Sequence, residues 1–593
     1  MRIPLIAAIP TLLCGMPLHA QVEPVLPPVP EWSGASESWI VRPGDPWITP
    51  AEETGFARTP SYDETRAWLE KLVGESPLLT KVTFGTSAEG RELYYVRAST
   101  AAKEGRPVVL VQAGIHSHEI SGKDAGLMLL RDIALGGKED LLGKVDLVFV
   151  PIYNVDGHEQ VSRFNAPHLR GPANSGSRNT AQRINLNRDY AKAAAPETRA
   201  LLPLLRQLDP VLYLDMHASD GFDHGYDVTY TYAGWGRHVQ SPAIAEWLQG
   251  SFEDGVNAFV RQQGHNPHFY PSALDDYRID KGLRMSAEGP RYSTGYGDFA
   301  RIPVVLVEMH NLKPYRQRVL GVYAMMEGAL RTAAASLPQL QSAIAIDRSA
   351  RPKTLTVKWA RDEQPFTTIS FTGMAFERVQ SLASGAEEIR YLGQEQQWEL
   401  PVTGEHPVSH VTLPEAWWVP AAERDVIALL DLHGISYERI DTARDLTLEM
   451  ATASNMQLGP IYDAEARMSA DFRRDKRNVR MAAGSIRVPY DQPRGLLAAA
   501  LLEPEAVDSV FSWGFFPELM ENSGSRERFL LAPVAERMLE SDPELRDAFE
   551  QRLASDATFA ADPQARLKWF AEKSPYFAAP LPIYPIGREL KDQ

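Results

Sequence analysis

The sequence predicts an α/β protein: a mixed, largely parallel central sheet flanked by helices, followed by an α+β accessory region. Three observations carry this reading. Short gapless apolar runs at 107–111, 146–152, 211–214 and 303–307 read as strands buried on both faces. Helical spacing falls between them, at 123–133 and again at 196–208, where Pro196-Glu197 opens the segment. After about residue 345 the pattern changes to polar–apolar alternation, in Leu355-Thr-Val-Lys-Trp359 and Thr367-Thr-Ile-Ser-Phe371, as half-exposed strands require.

Taken in order, the chain opens on a segment unlike the rest. Met1-Arg2 supplies a positive start, Ile3 to Leu18 is almost wholly apolar, and Ala20 offers a small residue before Gln21. Residues 1–20 therefore read as a signal peptide, which places the mature protein in the periplasm or outside the cell. The single cysteine, Cys14, lies inside this segment. The mature chain then has neither a disulfide nor a thiolate metal ligand. Residues 21–55, rich in Pro, Trp and Ser, read as an extended leader. From Ser61 the pattern is regular. Tyr62 to Val73 has helical spacing, and strand-like runs follow at 81–84 and 93–96. Residues 56–345 form the predicted catalytic domain, and 346–593 the accessory region, β-rich at its start and helical at its end.

The 593 residues are 44% hydrophobic, ample for a large core. The formal net charge is 61 − 77 = −16. A surface of that sign repels phosphate backbones and argues against a nucleic-acid partner. No later segment offers eighteen uninterrupted apolar residues, so no membrane span is expected. Oligomeric state is left open.

Without thiols, metal donors must be nitrogen or oxygen. Gly114-Ile-His116-Ser-His118-Glu119 falls where one apolar run ends and a helix begins. His116 and Glu119 stand three apart, so a turn there brings both to one side; His118, between them, is expected to point away. His217 ends the run Leu212-Tyr-Leu-Asp-Met-His217, and Glu308 ends Val304-Val-Leu-Val-Glu308. In open α/β sheets, sites form at the carboxyl ends of strands. Two His and one Glu make a zinc set that leaves a position for water. Asp215 is a candidate for orienting His217. The pairs Trp417-Trp418 and Trp513-Gly-Phe-Phe516 read as packing residues, with a ligand platform as the alternative.

These stretches, with Phe84-Gly-Thr-Ser-Ala-Glu-Gly-Arg91, Pro151-Ile-Tyr-Asn-Val-Asp-Gly157, Asn185-Leu-Asn-Arg-Asp-Tyr190 and Pro196-Glu197, resemble the carboxypeptidase A-like zinc peptidase family, in the family's order and across roughly 60–345. The resemblance implies one Zn2+ held by His116, Glu119 and His217, with Glu308 as general base. It implies a substrate-carboxylate clamp of Asn187 and Arg188. It implies an arginine that stabilises the oxyanion, with Arg178 first and Arg163 and Arg170 as rivals, and a capping tyrosine, Tyr296 with Tyr292 behind it. Asp189 follows Arg188 where many members have Asn, and Ala218-Ser219 follows His217 where digestive members carry Ser and Tyr, so subsites do not transfer. The implied activity is hydrolysis of C-terminal peptide bonds in a peptide or protein substrate. Two alternatives stand beside it: a zinc amide hydrolase of small acylated amino acids, and an inactive peptidase-like binding protein.

Overall fold

The computed structural model describes residues 25–100, 105–521, 527–574 and 581–591. The expected signal peptide and Cys14 lie outside them. The strands of the first half are β1 (Leu79–Thr86), β2 (Glu92–Ala98), β3 (Val108–Ala113), β4 (Asp146–Val150), β5 (Leu212–Ala218), β6 (Val228–Thr231), β7 (Pro267–Phe269), β8 (Leu283–Arg284) and β9 (Val304–Met309). Eight of them form one sheet in the order β1-β2-β4-β3-β5-β9-β6-β7. The centre, β4-β3-β5-β9, is parallel. The β1-β2-β4 edge is antiparallel, and so is the β9-β6 junction. This is the mixed, largely parallel sheet that the gapless apolar runs predict.

Alternate residues of each central strand feed two cores. Val109, Val111, Leu214, Met216, Val305 and Val307 pack on one face with the helices Ser121–Leu135 and Tyr315–Ala335. Val108, Leu110, Tyr213 and Val304 pack on the other with the helix Pro196–Leu208. Burying one such aliphatic side chain stabilises the fold by about 1.5–3 kcal/mol. The first helix lies so close to the sheet that a Cβ on Gly126 would stand 2.1 Å from the Phe149 ring.

The leader is not wholly extended. It contains short helical turns at Ala35–Trp39 and Pro50–Glu53 and lies against the catalytic domain. Trp39 stacks on Tyr323, and Glu52 pairs with buried Arg131 at 2.7 Å.

The second half contributes β10 (Thr354–Arg361), β11 (Thr367–Gln380), β12 (Glu387–Thr403), β13 (Glu405–Thr412), β14 (Ala416–Val419), β15 (Glu438–Arg439), β16 (Arg444–Tyr462), β17 (Glu465–Met481), β18 (Ile486–Pro489) and β19 (Gly587–Glu589). β10 pairs with β13, and the β11–β12 hairpin takes β8 as a third strand. The sheet β15-β18-β14-β19-β16-β17 completes the region, and four helices between Arg528 and Ala571 are inserted in sequence between its strands β18 and β19. Trp417 and Trp418 are buried, with their indole nitrogens donating to Glu503 and Glu589, so both are packing residues. Among the described residues no helix is long and apolar enough to cross a membrane.

The accessory region does not hang from the catalytic sheet as a separate ball. Trp417, Val488, Leu497 and Phe511 share one continuous core with Leu201, Leu205 and Phe299. His433 stitches this junction. Its Nε2 donates to the Ala191 carbonyl at 3.0 Å and its Nδ1 meets the Tyr296 hydroxyl at 3.3 Å. Burial pushes the imidazole down to about 4. The folded chain therefore holds it neutral at a pH where the unfolded chain, near 6.5, binds a proton. Between those values the unfolded state binds more protons. The stability from this group is complete above pH 6.5 and lost as pH falls towards 4, about 3 kcal/mol in all. Denaturant midpoints at pH 7 and pH 4.5 are expected to converge in His433→Gln relative to wild type; an unchanged pH slope in the variant would remove His433 from the acid response.

Candidate metal centre and active site

Each donor reaches the site because a central strand ends beneath it. β3 stops at Ala113, and Gly114 turns the chain in the left-handed region with φ +69. A side chain there is disfavoured by backbone sterics, and a Cβ would also press on Ile120 at 3.1 Å. The turn delivers His116 and Glu119. β5 carries His217 one residue before its end, and β9 places Glu308 directly beside it in register.

The candidate ligand atoms of His116, Glu119 and His217 all lie within 4.8 Å of one another, and the three residues are buried. Asn185 Oδ1 accepts the Asn187 backbone N–H at 3.0 Å, which fixes it as an acceptor. The His116 Nε2 that meets it at 2.9 Å is therefore the protonated nitrogen. That leaves the His116 Nδ1 lone pair facing Glu119 Oε1 at 3.0 Å. A lone pair aimed at a carboxylate repels it unless a proton or a cation lies between. His217 repeats the arrangement: Nε2 approaches Asp215 at 3.1 Å and Nδ1 faces Glu119 Oε2 at 2.9 Å. Asp215 is in turn held by Gln112 at 3.2 Å. The donor set fits a zinc ion, with the His116 ring oriented by Asn185 and His217 in close ionic contact with Asp215.

Electrostatics agree with that fit. Burial pushes His116 down to about 4, so it is neutral and able to ligate. Burial would raise Glu119, but His116, His118 and His217 hold it well below the usual carboxylate range. Burial also opposes charge on His217, yet Asp215 and Glu119 outweigh it and raise the imidazole well above its ordinary value. An entering cation displaces that proton, so metal uptake at this site is coupled to proton release.

A cavity of about 840 Å³ opens over the donors. Its wall includes Arg178, Asn187, Arg188 and Glu308, four residues that the sequence singled out. Arg178 donates to Glu119 Oε1 at 3.1 Å. Its rivals stand elsewhere. Arg170 is committed to the Leu312 and Pro27 carbonyls, and Arg163 lies against the Phe164 ring; neither is in the cavity wall. Arg188 donates through Nη1 to the Asn187 carbonyl at 2.7 Å, and the Tyr292 ring covers its guanidinium at 4.5 Å. Asn187 Oδ1 accepts the Ser293 N–H at 3.0 Å and so anchors the helix Ser293–Ala300. Glu308 Oε2 is buried and has no hydrogen-bond partner. Burial, with Glu119 and Asp220 adding to it and His217 opposing, pushes Glu308 up to about 8.

Two expectations need correction. Tyr296, read as the capping tyrosine, is outside the cavity wall. It is 1% exposed and packs between Tyr190 and His433. Tyr292 lines the cavity instead. Four residues apart, the two would share a helix face, but Tyr292 is the N-cap with extended backbone, φ −92 and ψ 154, and its ring leaves that face. His118 does not point away. It lines the cavity with Nε2 3.3 Å from Glu119 Oε1.

The cavity also holds residues that motif spacing missed. Tyr270 lines it and donates to Asp220, itself in the wall, at 3.3 Å. Both come from irregular loops with no periodicity to mark them, and only their nearness to Glu308 and Glu119 in space selects them.

Comparison with known proteins agrees with this geometry. The zinc carboxypeptidase family profile matches residues 65–273, a span that holds all three donors and the Asn187-Arg188 pair. "Carboxypeptidase 2" of Trichophyton equinum is 23% identical over 491 residues, covering 77% of this chain and 84% of that protein. "Carboxypeptidase B2" of Homo sapiens is 27% identical over 260 residues, covering 38% of this chain and 61% of its own. Among solved structures, the carboxypeptidase A of Helicoverpa armigera is 19% identical with a TM-score of 0.36, covering 48% of this chain and 75% of its own. The matched span, the relatives and the sheet that positions the donors together support a carboxypeptidase A-like zinc metallocarboxypeptidase family for the region that holds the site.

Proposed function

We propose that this metallocarboxypeptidase releases the C-terminal residue of peptides, with Glu308 as general base, Arg178 facing the developing oxyanion, and Asn187 and Arg188 holding the substrate's terminal carboxylate. The observation that carries the reading is the placement of a buried, unpartnered Glu308 oxygen beside His217, in the wall of the cavity that Arg188 also lines. A zinc ion bound by His116, Glu119 and His217 supplies a Lewis acid that polarises a carbonyl and makes water nucleophilic at neutral pH.

The chain's own residues do the rest. Arg188 offers a planar fork matched to a carboxylate, and its immobilisation fixes how far the scissile bond lies from the clamp. Glu308 Oε2, with no competing hydrogen bond, accepts a proton from the attacking water and returns it to the leaving amine. Arg178 is 42% exposed at its side chain and keeps one guanidinium nitrogen on Glu119, so it can swing towards a carbonyl oxygen without losing all support. One donor to a developing oxyanion is worth about 3–4 kcal/mol in other hydrolases.

A panel of N-blocked dipeptides and acylated amino acids tests the reading. Release of single C-terminal residues, abolished by a zinc chelator and only residual on C-terminally amidated peptides, is the expected result. Equal turnover of amidated and free-acid peptides, or turnover of the acylated amino acids alone, overturns it.

A further inference from the structure

The β16–β17 hairpin of the accessory region ends at the catalytic cavity. Tyr462 closes β16, and its hydroxyl accepts from Arg188 Nε at 2.9 Å. Arg188 Nη1 is occupied by the Asn187 carbonyl and one face by Tyr292, so Tyr462 supplies the hold on the remaining edge. Only Nη2 and the outer hydrogen of Nη1 remain for a ligand. The turn beyond Tyr462 is two residues long, and both Asp463 (φ 49) and Ala464 (φ 68) sit in the left-handed region without being glycine. A primed turn of this kind normally carries glycine or asparagine, and strain of this sort concentrates where a tip must meet a defined position.

A second tether comes from a different accessory segment. Asp508 is fully buried, and its carboxylate takes the Arg291 Nε at 2.7 Å and the Arg291 backbone N–H at 3.2 Å. That fixes the loop whose next residue is Tyr292. Trp513, the platform candidate of the sequence, lies 6.3 Å from the Tyr462 ring and 5.4 Å from the Arg291 guanidinium. The accessory region thus grips both the edge of the Arg188 fork and the ring that covers it.

We infer that the accessory hairpin completes the carboxylate clamp: Tyr462 is a positioning residue that holds Arg188 in its substrate-receiving orientation, and the ligand class it serves is a peptide or amino acid with a free α-carboxylate. The inference rests on the clamp role proposed for Arg188. A fork held before the substrate arrives loses less side-chain freedom on binding, so the contribution falls on affinity and not on the chemical step.

The test is steady-state kinetics of the full-length zinc enzyme on an N-blocked dipeptide. Tyr462→Phe keeps the ring beside Trp513 and Arg291 and removes only the acceptor. It is expected to raise KM about 5- to 10-fold with kcat within about 2-fold. The free amino-acid product should inhibit more weakly by the same factor, while acetohydroxamate, which binds zinc but has no carboxylate, inhibits as before. Zinc content and melting temperature should match wild type. An unchanged KM in Tyr462→Phe, alongside a large rise in Arg188→Gln, overturns this inference and leaves the clamp standing. An unchanged KM in Arg188→Gln overturns the clamp and this inference together. Equal weakening of both inhibitors by Tyr462→Phe indicates general damage to the site and also overturns it.

Discussion

Glu308→Gln is expected to lower kcat by about 10³-fold while zinc content stays at the wild-type level, since a positioned general base contributes about 10²–10⁴-fold. The substitution is nearly isosteric, and the β5–β9 register that carries residue 308 depends on backbone bonds. What changes is the ability of Oε2 to take a proton. The wild-type carboxylate is suited to that work because burial raises it to about 8, and a divalent charge at the donor cluster pulls it down with the same sign as His217 does. The base then sits near the working pH, where proton transfer is most effective. Metal analysis and single-turnover kinetics separate the possible failures. Wild-type kcat in the variant ends the base role; zinc lost in proportion to kcat makes Glu308 a ligand.

The second large effect falls on binding. Arg188→Gln is expected to lower kcat/KM about 10²-fold on free-acid peptides. Truncating one partner of a buried, hydrogen-bonded charge pair costs roughly 2–5 kcal/mol, and each 1.4 kcal/mol is tenfold. Gln keeps a donor but lacks the second, coplanar N–H that a carboxylate engages. It also abandons three partners at once: the Asn187 carbonyl, the Tyr462 hydroxyl and the Tyr292 ring. The loss should be confined to substrates with a free carboxylate, and residual hydrolysis of amidated peptides should be equal in variant and wild type. An equal loss on both substrate types would mean that Arg188 supports the fold of the site and not the substrate.

Much of the site was legible because it stands on periodic structure. A gapless apolar run long enough for a buried strand has one possible exit at its carboxyl end, and His217 and Glu308 sit at such exits. His116 and Glu119 follow a third exit through Gly114, a residue whose φ of +69 explains why no side chain stands there. Arg178 could not be separated from Arg163 and Arg170 by spacing, since all three lie in irregular chain. Their placement differs only in three dimensions: backbone carbonyls occupy Arg170, and Arg178 meets the Glu119 carboxylate. Tyr296 was misread for a related reason. The extended N-cap that frees Tyr292 from the helix face leaves no mark in the local sequence. The reach of Tyr462 to Arg188 spans 274 residues and has no signature in either local sequence. Contacts of that kind follow from how two sheets pack, which one-dimensional patterning does not encode.

The leader has a bearing on maturation. Between Pro27 and Pro60, the leader and the residues just after it give the Pro27 carbonyl to Arg170, the Glu52 carboxylate to Arg131 and the Pro60 carbonyl to Lys123. Trp32 and Ser36 add hydrogen bonds to Gly264 and His265. Arg131 and Lys123 are buried, and removing Glu52 takes one of the two carboxylates that hold the Arg131 guanidinium, leaving Asp132 at 2.7 Å. Excision of this stretch is therefore expected to loosen the fold around these contacts, not to switch the enzyme on. Proteolysis that runs past Pro27 should march towards inactivation, which timed N-terminal trimming followed by thermal unfolding would read directly.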